Sequence, residues 1–156
     1  MLKTLRKYQV DLSLKGLDVI KKYGVVYYSV EVRCGKTAIS LELCRLLNSK
    51  NVLFLTKKKA IPSILNDWLD FGYNEYFELT VINDESIHLV KGQFDLVIHD
   101  EHHRFGAYPK PNKVAKLFKE KYGNLPMIFL SGTPHPESYS QIFHQFWVKV
   151  GFWKRH

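Results

Sequence analysis

The feature that most constrains this chain is a regular alternation of short apolar runs with amphipathic segments. Three of the runs, NVLFLT at 51–56, FDLVIHD at 94–100 and PMIFLSGTP at 126–134, are apolar over most of their length. A strand with one face in water alternates apolar and polar side chains, whereas a strand of a parallel sheet covered on both faces does not. The pattern therefore predicts an α/β fold of three layers, with a mainly parallel central sheet between helices.

The same reasoning places the other elements along the chain. A helix is predicted over 5–23, ended by Gly24, and a strand is predicted over 25–30. Further helices are expected at 37–50, 60–71, 85–90, 113–123 and 137–148, and a further strand at 76–83. The length of 156 residues fits one domain, 1–156, that can bury a core without disulfides.

Ligands of such sheets bind at the carboxyl ends of the strands. We therefore expect one shared edge for the loops that follow Val30, Thr56, Asn83, His99 and Leu130.

Charge and cysteine content indicate the class of partner and the compartment. Lys and Arg number 23 against 15 Asp and Glu, and a net charge of +8 favours a polyanion such as nucleic acid, although many small basic proteins bind none. The two cysteines, Cys34 and Cys44, form no CxxC pair, which favours a reduced, cytoplasmic setting. No apolar run reaches the length of a membrane span, and the N-terminus is too charged for a signal peptide.

The segment VEVRCGKTAIS at 30–40 is a candidate phosphate-binding loop between a predicted strand and a predicted helix. Gly35, Lys36 and Thr37 match the end of the pattern GxxxxGK[ST], but Val30 stands where the first glycine is expected. In such a loop the backbone amides and the helix N-terminus face phosphate oxygens. Lys36 would reach the β and γ phosphates, and the Thr37 hydroxyl would hold Mg²⁺.

A second polar element follows the buried strand at 94–100. Asp100 lies where an acid can hold Mg²⁺ beside the phosphate loop, usually through water, and Glu101 can take a proton from an attacking water. The alternatives are a solvated acidic turn or a metal site built from His102 and His103. The sequence offers no HExxH motif, cysteine pair or third ligand for such a site.

Taken in order, these segments resemble the motifs of the first RecA-like domain of superfamily-two helicases and translocases. LRKYQ at 5–9 is similar to the glutamine motif, CGKT at 34–37 to motif one, DEHH at 100–103 to motif two and SGTP at 131–134 to motif three. The resemblance covers nearly the whole chain. VINDES and the GTP of motif three look most like the Swi/Snf-type branch, including phage and plasmid members, some with a glycine-poor first loop. A bacterial or phage-infected cell is the setting that this implies.

The resemblance implies that the chain binds ATP and Mg²⁺, with Gln9 contacting adenine and Arg6 near it. The residues implied to bind the nucleotide are Arg6, Gln9, Arg33, Cys34, Gly35, Lys36, Thr37 and Ala38. Lys36 and Glu101 would be catalytic, and Thr37 and Asp100 would hold the metal. The residues implied to couple the nucleotide state to nucleic-acid binding are His103, Ser131, Gly132 and Thr133. An ordinary turn at the end of a strand is the alternative for SGTP.

The segment TKKKAIPSILNDW at 56–68 corresponds to the part of the family that contacts the nucleic-acid backbone. Lys57, Lys58 and Lys59 follow a strand end and can form a phosphate-binding patch, although an ordinary solvated loop has the same composition. Nucleic acid, with double-stranded DNA favoured, is the partner that this indicates.

The family uses two RecA-like domains, and the second supplies arginines to the transferred phosphoryl group. The chain ends at His156, after the first domain, so we expect a helicase or translocase domain that hydrolyses ATP poorly until a second domain joins it. That domain could belong to the same longer protein or act in trans. The alternative is a non-catalytic binding module of viral or mobile-element origin. A small-molecule P-loop kinase fits less well, because DEHH is not the magnesium motif of those kinases.

Overall fold

The computed structural model of the chain describes residues 2–29, 35–100 and 120–131. The α-helices in these ranges are α1 (Lys7–Tyr23), α2 (Lys36–Leu46) and α3 (Ile61–Asp70), and a further helix ends at 120–122. The strands are β1 (Val25–Ser29), β2 (Asn51–Thr56), β3 (Glu78–Asn83), β4 (Leu96–Asp100) and β5 (Met127–Ser131). Short 3-10 helices lie at Lys58–Ala60, Tyr73–Glu75 and Asp84–Leu89. None of these helices is long and apolar enough to cross a membrane.

The five strands form one sheet in the order β1-β5-β4-β2-β3, and every neighbouring pair is parallel. The α/β fold predicted from the apolar runs is therefore confirmed. In the centre of the sheet, Leu55 of β2 lies opposite His99 of β4, and Asp100 of β4 lies opposite Leu130 of β5. All strands point the same way, so β1, β2 and β4 end at the same edge of the sheet.

Both faces of the central strands β2 and β4 are buried, which explains why these strands are apolar over most of their length. Val52 and Phe54 of β2 pack into one cluster with residues of α1 and α2, whereas Leu53 and Leu55 pack into a second cluster on the opposite face. All four side chains are 0% exposed. Burial of each such side chain contributes about 1.5–3 kcal/mol to the free energy of folding. Because successive side chains of a strand point to opposite faces, both faces of the sheet receive this contribution.

Most helix boundaries lie within a few residues of the predicted ones. α1 begins at Lys7 rather than at 5 because the Arg6 backbone N–H donates to Gln9 Oε1 at 2.8 Å, which caps the helix there. α1 ends, as expected, at Gly24, which is left-handed with φ 77°. α2 ends at Leu46 instead of reaching 50, and Asn48 just beyond it has a positive φ of 57°.

Two other helix predictions differ in kind or in coverage. The segment predicted as a short helix at 85–90 is a 3-10 helix at Asp84–Leu89. The helix predicted at 137–148 lies outside the described residues, and so does most of the one predicted at 113–123.

Candidate nucleotide site

The N-terminus of α2 lies at the carboxyl edge of the sheet and is preceded by a left-handed glycine. Gly35, the residue before the helix, has φ 70° and ψ 45°, and the first turn of α2 carries no acidic side chain. A helix start presents unpaired backbone N–H groups and the positive end of the helix dipole. Because its first turn carries no acidic side chain, this helix start suits an external anion such as phosphate.

Besides its positive φ, which favours glycine, position 35 is in close contact with a side chain of α1. A Cβ built on Gly35 would overlap the side-chain amide nitrogen of Gln9. Gln9 is buried on the first turn of α1, and its side-chain oxygen accepts the hydrogen bond from Arg6 described above. The structure therefore brings Gln9, of the predicted glutamine motif, into contact with Gly35 of the predicted phosphate-binding loop, 26 positions further along the chain.

Lys36 and Asp100 form an ion pair across the site. Lys36 is the first residue of α2 and Asp100 the last of β4, and Lys36 Nζ lies 3.2 Å from Asp100 Oδ1. The two side chains are only 10% and 13% exposed. A lysine is seldom buried to this degree without a partner, so the pair defines a specific position for each charge.

Thr56 holds the other oxygen of the same carboxylate. Thr56 Oγ1 donates a hydrogen bond to Asp100 Oδ2 at 3.1 Å. Asp100 Oδ1 is buried and, within the described part of the chain, faces the Lys36 ammonium without a well-formed hydrogen bond. Carboxylate, hydroxyl and water oxygens are the ligands that Mg²⁺ prefers. Asp100 and Thr37, the half-buried residue that follows Lys36, carry oxygen atoms of the kind that a magnesium site completed by water would use.

A set of buried polar contacts fixes α1 against α2 and β1. The Ser13 hydroxyl, 0% exposed, lies 2.8 Å from the Gln9 carbonyl oxygen and 3.2 Å from that of Ile39 in α2. Tyr28 of β1 donates its hydroxyl to the Leu12 carbonyl at 2.9 Å. Burial, with a smaller contribution from Cys44, raises the pKa of this tyrosine, so it stays a protonated donor.

α1 can approach β1 this closely because of Gly16. A Cβ at Gly16 would overlap the Tyr28 hydroxyl. The sequence interpretation did not identify Gly16 or Tyr28 as packing residues, although an isolated glycine within a helical pattern is a known signal of close packing.

The far side of α2 is fixed by a buried acid. Glu42 is 7% exposed and accepts two hydrogen bonds from Arg45, at 2.8 and 2.6 Å. The Tyr73 hydroxyl donates a third to Glu42 Oε1 at 3.1 Å. Because α2 is held on both sides, its N-terminus has a defined position relative to Asp100.

The three predicted nucleic-acid-binding lysines follow β2 at the same edge of the sheet. We call the segment Lys57, Lys58 and Lys59 the basic turn. Lys57 is half-buried, whereas Lys58 and Lys59 are exposed in the 3-10 helix that precedes α3. The basic turn leaves the sheet directly after Thr56. Since Thr56 also donates a hydrogen bond to Asp100, it connects the basic turn to the acid of the site.

The remaining predicted site residues divide into two groups. Ala38 is buried in the first turn of α2, Arg6 is exposed at the start of α1, and Ser131 is the last residue of β5. The predicted site residues that lie outside the described part of the chain are Arg33, Cys34, Glu101, His103, Gly132 and Thr133. Within the described ranges, no three His, Cys, Asp or Glu side chains cluster as a metal site, and His102 and His103 fall outside these ranges.

One residue of the site was missed by the sequence interpretation. Thr56 was assigned as the end of a strand and the start of the nucleic-acid-binding segment, but not to the nucleotide site, yet it contacts Asp100. The signal that could have identified it is a polar residue ending an apolar strand beside the strand that ends in an acid. The contact depends on strand order, which the sequence pattern alone does not specify.

Comparison with solved structures decides the fold family. The Sulfolobus solfataricus SWI2/SNF2 ATPase core in complex with dsDNA superimposes with a TM-score of 0.75 at 14% identity, over 94% of this chain and 36% of that chain. The chain therefore has a RecA-like α/β fold. A nuclease-deletion mutant of the Type ISP restriction-modification enzyme LlaGI, in complex with a DNA substrate mimic, shares this RecA-like fold with a TM-score of 0.62 at 17% identity.

Because sequence identity is low and only part of each solved structure is covered, these similarities show the fold alone. The LlaGI comparison covers 85% of this chain and 18% of that chain, so the chain spans about a third or less of either structure. No family model and no curated protein sequence matches the chain.

Proposed function

We propose that this RecA-like domain binds ATP with Mg²⁺ and is the ATP-binding half of a nucleic-acid-dependent ATPase, either a helicase or a double-stranded DNA translocase. The observation that carries the proposal is the buried Lys36–Asp100 ion pair at the N-terminus of α2. A buried cation and a buried anion beside a helix start without acidic residues are the groups that a magnesium-bound triphosphate requires.

In this proposal, binding exchanges the partners of the two charges. The Lys36 ammonium leaves Asp100 and contacts the β and γ phosphates, while the backbone N–H groups at the start of α2 contact further phosphate oxygens. Asp100 and the Thr37 hydroxyl would hold the metal. Bound Mg²⁺ neutralises charge on the phosphoryl group that is transferred. Each buried charge has a partner before and after binding, so neither is left uncompensated.

The adenine end of the nucleotide would lie towards α1. Gln9 is buried against Gly35, which supports a position for the base beside the first turn of α1, near Arg6. The contacts of Ser13 and Tyr28 would keep that turn at a constant distance from the phosphate loop. Glu101, one residue beyond Asp100, is proposed as the base that takes a proton from the attacking water.

Nucleic acid is the proposed partner of the basic turn. The two solved structures described above are complexes with dsDNA and with a DNA substrate mimic, and the position of Lys57, Lys58 and Lys59 beside the site supports a similar partner here. We further propose that hydrolysis needs a second RecA-like domain, whose arginines stabilise the transferred phosphoryl group.

The first experiment is a calorimetric titration of the domain with ATP in the presence of Mg²⁺. Parent protein should bind, and Lys36→Met should lose most of the affinity, because the ammonium that contacts the phosphates is gone. Lys50→Met is the matched control, since Lys50 is exposed just before β2 starts, at the opposite edge of the sheet. Equal binding by both variants, or no binding by the parent at millimolar ATP, contradicts the proposal.

A further inference from the structure

Thr56 stands between the acid of the candidate site and the basic turn. It is the last residue of β2 and is 1% exposed. Its neighbour Leu55 and His99 are the last residues paired between the parallel strands β2 and β4. Thr56 and Asp100 follow these two residues and therefore lie side by side. The hydrogen bond of 3.1 Å between Thr56 Oγ1 and Asp100 Oδ2 follows from this register.

This hydrogen bond distinguishes the two oxygens of the carboxylate. Oδ2 is occupied by the threonine hydroxyl, whereas Oδ1 faces Lys36 Nζ at 3.2 Å. A carboxylate held at one oxygen cannot rotate freely about its Cβ–Cγ bond, so the other oxygen stays directed at the N-terminus of α2. Across metalloproteins, removing a residue that orients a metal ligand in this way commonly lowers metal affinity by about 10–100-fold.

The backbone connects the same threonine to the basic turn. Lys57 follows Thr56 directly, and the 3-10 helix Lys58–Ala60 begins one residue later. The Thr56 hydroxyl has one partner in the nucleotide site, and its peptide bond leads to the lysines. A shift of the basic turn on binding a polyanion would therefore move the group that orients Asp100.

We propose that Thr56 is a positioning residue that orients Asp100 for Mg²⁺ and links nucleic-acid binding at the basic turn to the metal affinity of the nucleotide site. This inference rests on the proposed function. The link is a coupling between two binding equilibria, so it acts equally in both directions. Nucleic acid changes the affinity for magnesium-bound ATP, and magnesium-bound ATP changes the affinity for nucleic acid by the same factor.

The test compares ATP affinity with Mg²⁺ to ATP affinity in EDTA, measured by calorimetry with and without a short DNA duplex. Thr56→Val keeps the shape of the side chain and removes the donor, so the ratio of the two affinities should fall about tenfold. Thr56→Ser keeps the hydroxyl and should retain the ratio. Thr80→Val is the control for the same chemical change, because Thr80 is exposed on the adjacent strand β3.

In the parent, the duplex should change the affinity for magnesium-bound ATP, and in Thr56→Val that change should be lost. A valine variant with the parental magnesium ratio, or with the parental response to DNA, overturns the inference. Thr56→Ala provides the same measurement if the valine variant does not fold. A parent that binds no ATP refutes the proposed function and this inference together, whereas a parent that binds ATP and responds like the valine variant refutes only the inference.

Discussion

Lysines occur at two places on the carboxyl edge of the sheet, and the protein holds them in opposite ways. The Lys36 side chain is 10% exposed and lies 3.2 Å from Asp100, at the start of a helix fixed on both sides. Lys58 and Lys59 are exposed in a single 3-10 turn that leads away from the sheet. The two regions are separated by one threonine and its hydrogen bond, yet they suit different kinds of phosphate ligand.

The difference lies in what determines selectivity. A buried ammonium with a fixed partner accepts a ligand only if the ligand replaces that partner and supplies equivalent charge, so position and geometry select it. Exposed ammonium groups keep their hydration and attract any phosphate backbone through charge, at a strength that falls with salt. We therefore expect a defined ligand at Lys36 and a sequence-insensitive one at the basic turn.

The largest expected effect comes from supplying a second RecA-like domain. Alone, the 156-residue chain should release phosphate very slowly with or without DNA, because the charge of the transferred phosphoryl group is only partly stabilised. A second domain that provides arginines should raise DNA-stimulated phosphate release by about 10³-fold or more. DNA binding through the basic turn should change far less, which separates the two regions in one assay.

The control for this experiment is Glu101→Gln, which removes the proposed base and should remain slow in the presence of the second domain. Recovery in the parent alone supports a divided enzyme. Failure of every second domain tested, with DNA binding intact, would instead support a non-catalytic binding module, and the catalytic roles proposed for Lys36 and Glu101 would be wrong.

The next largest effect concerns stability. Asp100→Ala should lower the free energy of unfolding by about 3–5 kcal/mol, because it leaves the Lys36 ammonium buried without its partner. Asp18→Ala, an exposed position on α1, should change it by less than about 0.5 kcal/mol. Urea unfolding of the two variants measures the difference. Adding Lys36→Met to Asp100→Ala should restore part of the loss, and a double variant no more stable than Asp100→Ala would show that the ion pair is not its cause.

The sheet and the approach of Lys36 to Asp100 could be predicted from the sequence because both depend on local pattern. Continuous apolar runs specify buried parallel strands, and β2 was predicted with the same bounds as the structure has, Asn51–Thr56. Residues that follow the strand ends then meet at one edge, whatever the order of the strands. The basic turn was placed at this edge by the same argument.

Other contacts could not be predicted because they depend on strand order and helix packing. The Thr56–Asp100 hydrogen bond needs β2 beside β4 in a particular register. The contact of Gln9 with Gly35 needs α1 to pack on α2, and the close approach of α1 to Tyr28 of β1 needs a residue without a side chain at Gly16. Side-chain periodicity specifies which face of an element is buried, and it does not specify which element covers that face.

The smallest effect tests the basic turn. Replacing Lys57, Lys58 and Lys59 together by alanine should weaken DNA binding uniformly across sequences and reduce the dependence of log K on log salt by up to about three contacts. The matched control replaces Lys15, Lys21 and Lys22, three exposed lysines of α1, and so changes net charge equally. If long-range charge alone attracts DNA, both triple variants should lose the same slope. If the basic turn contacts the backbone, only the first should lose it, while its binding of magnesium and ATP in the absence of DNA remains at the parental level. Fluorescence anisotropy with a labelled duplex at several salt concentrations measures the slope, and an unchanged slope in the first variant places the nucleic acid elsewhere on the domain.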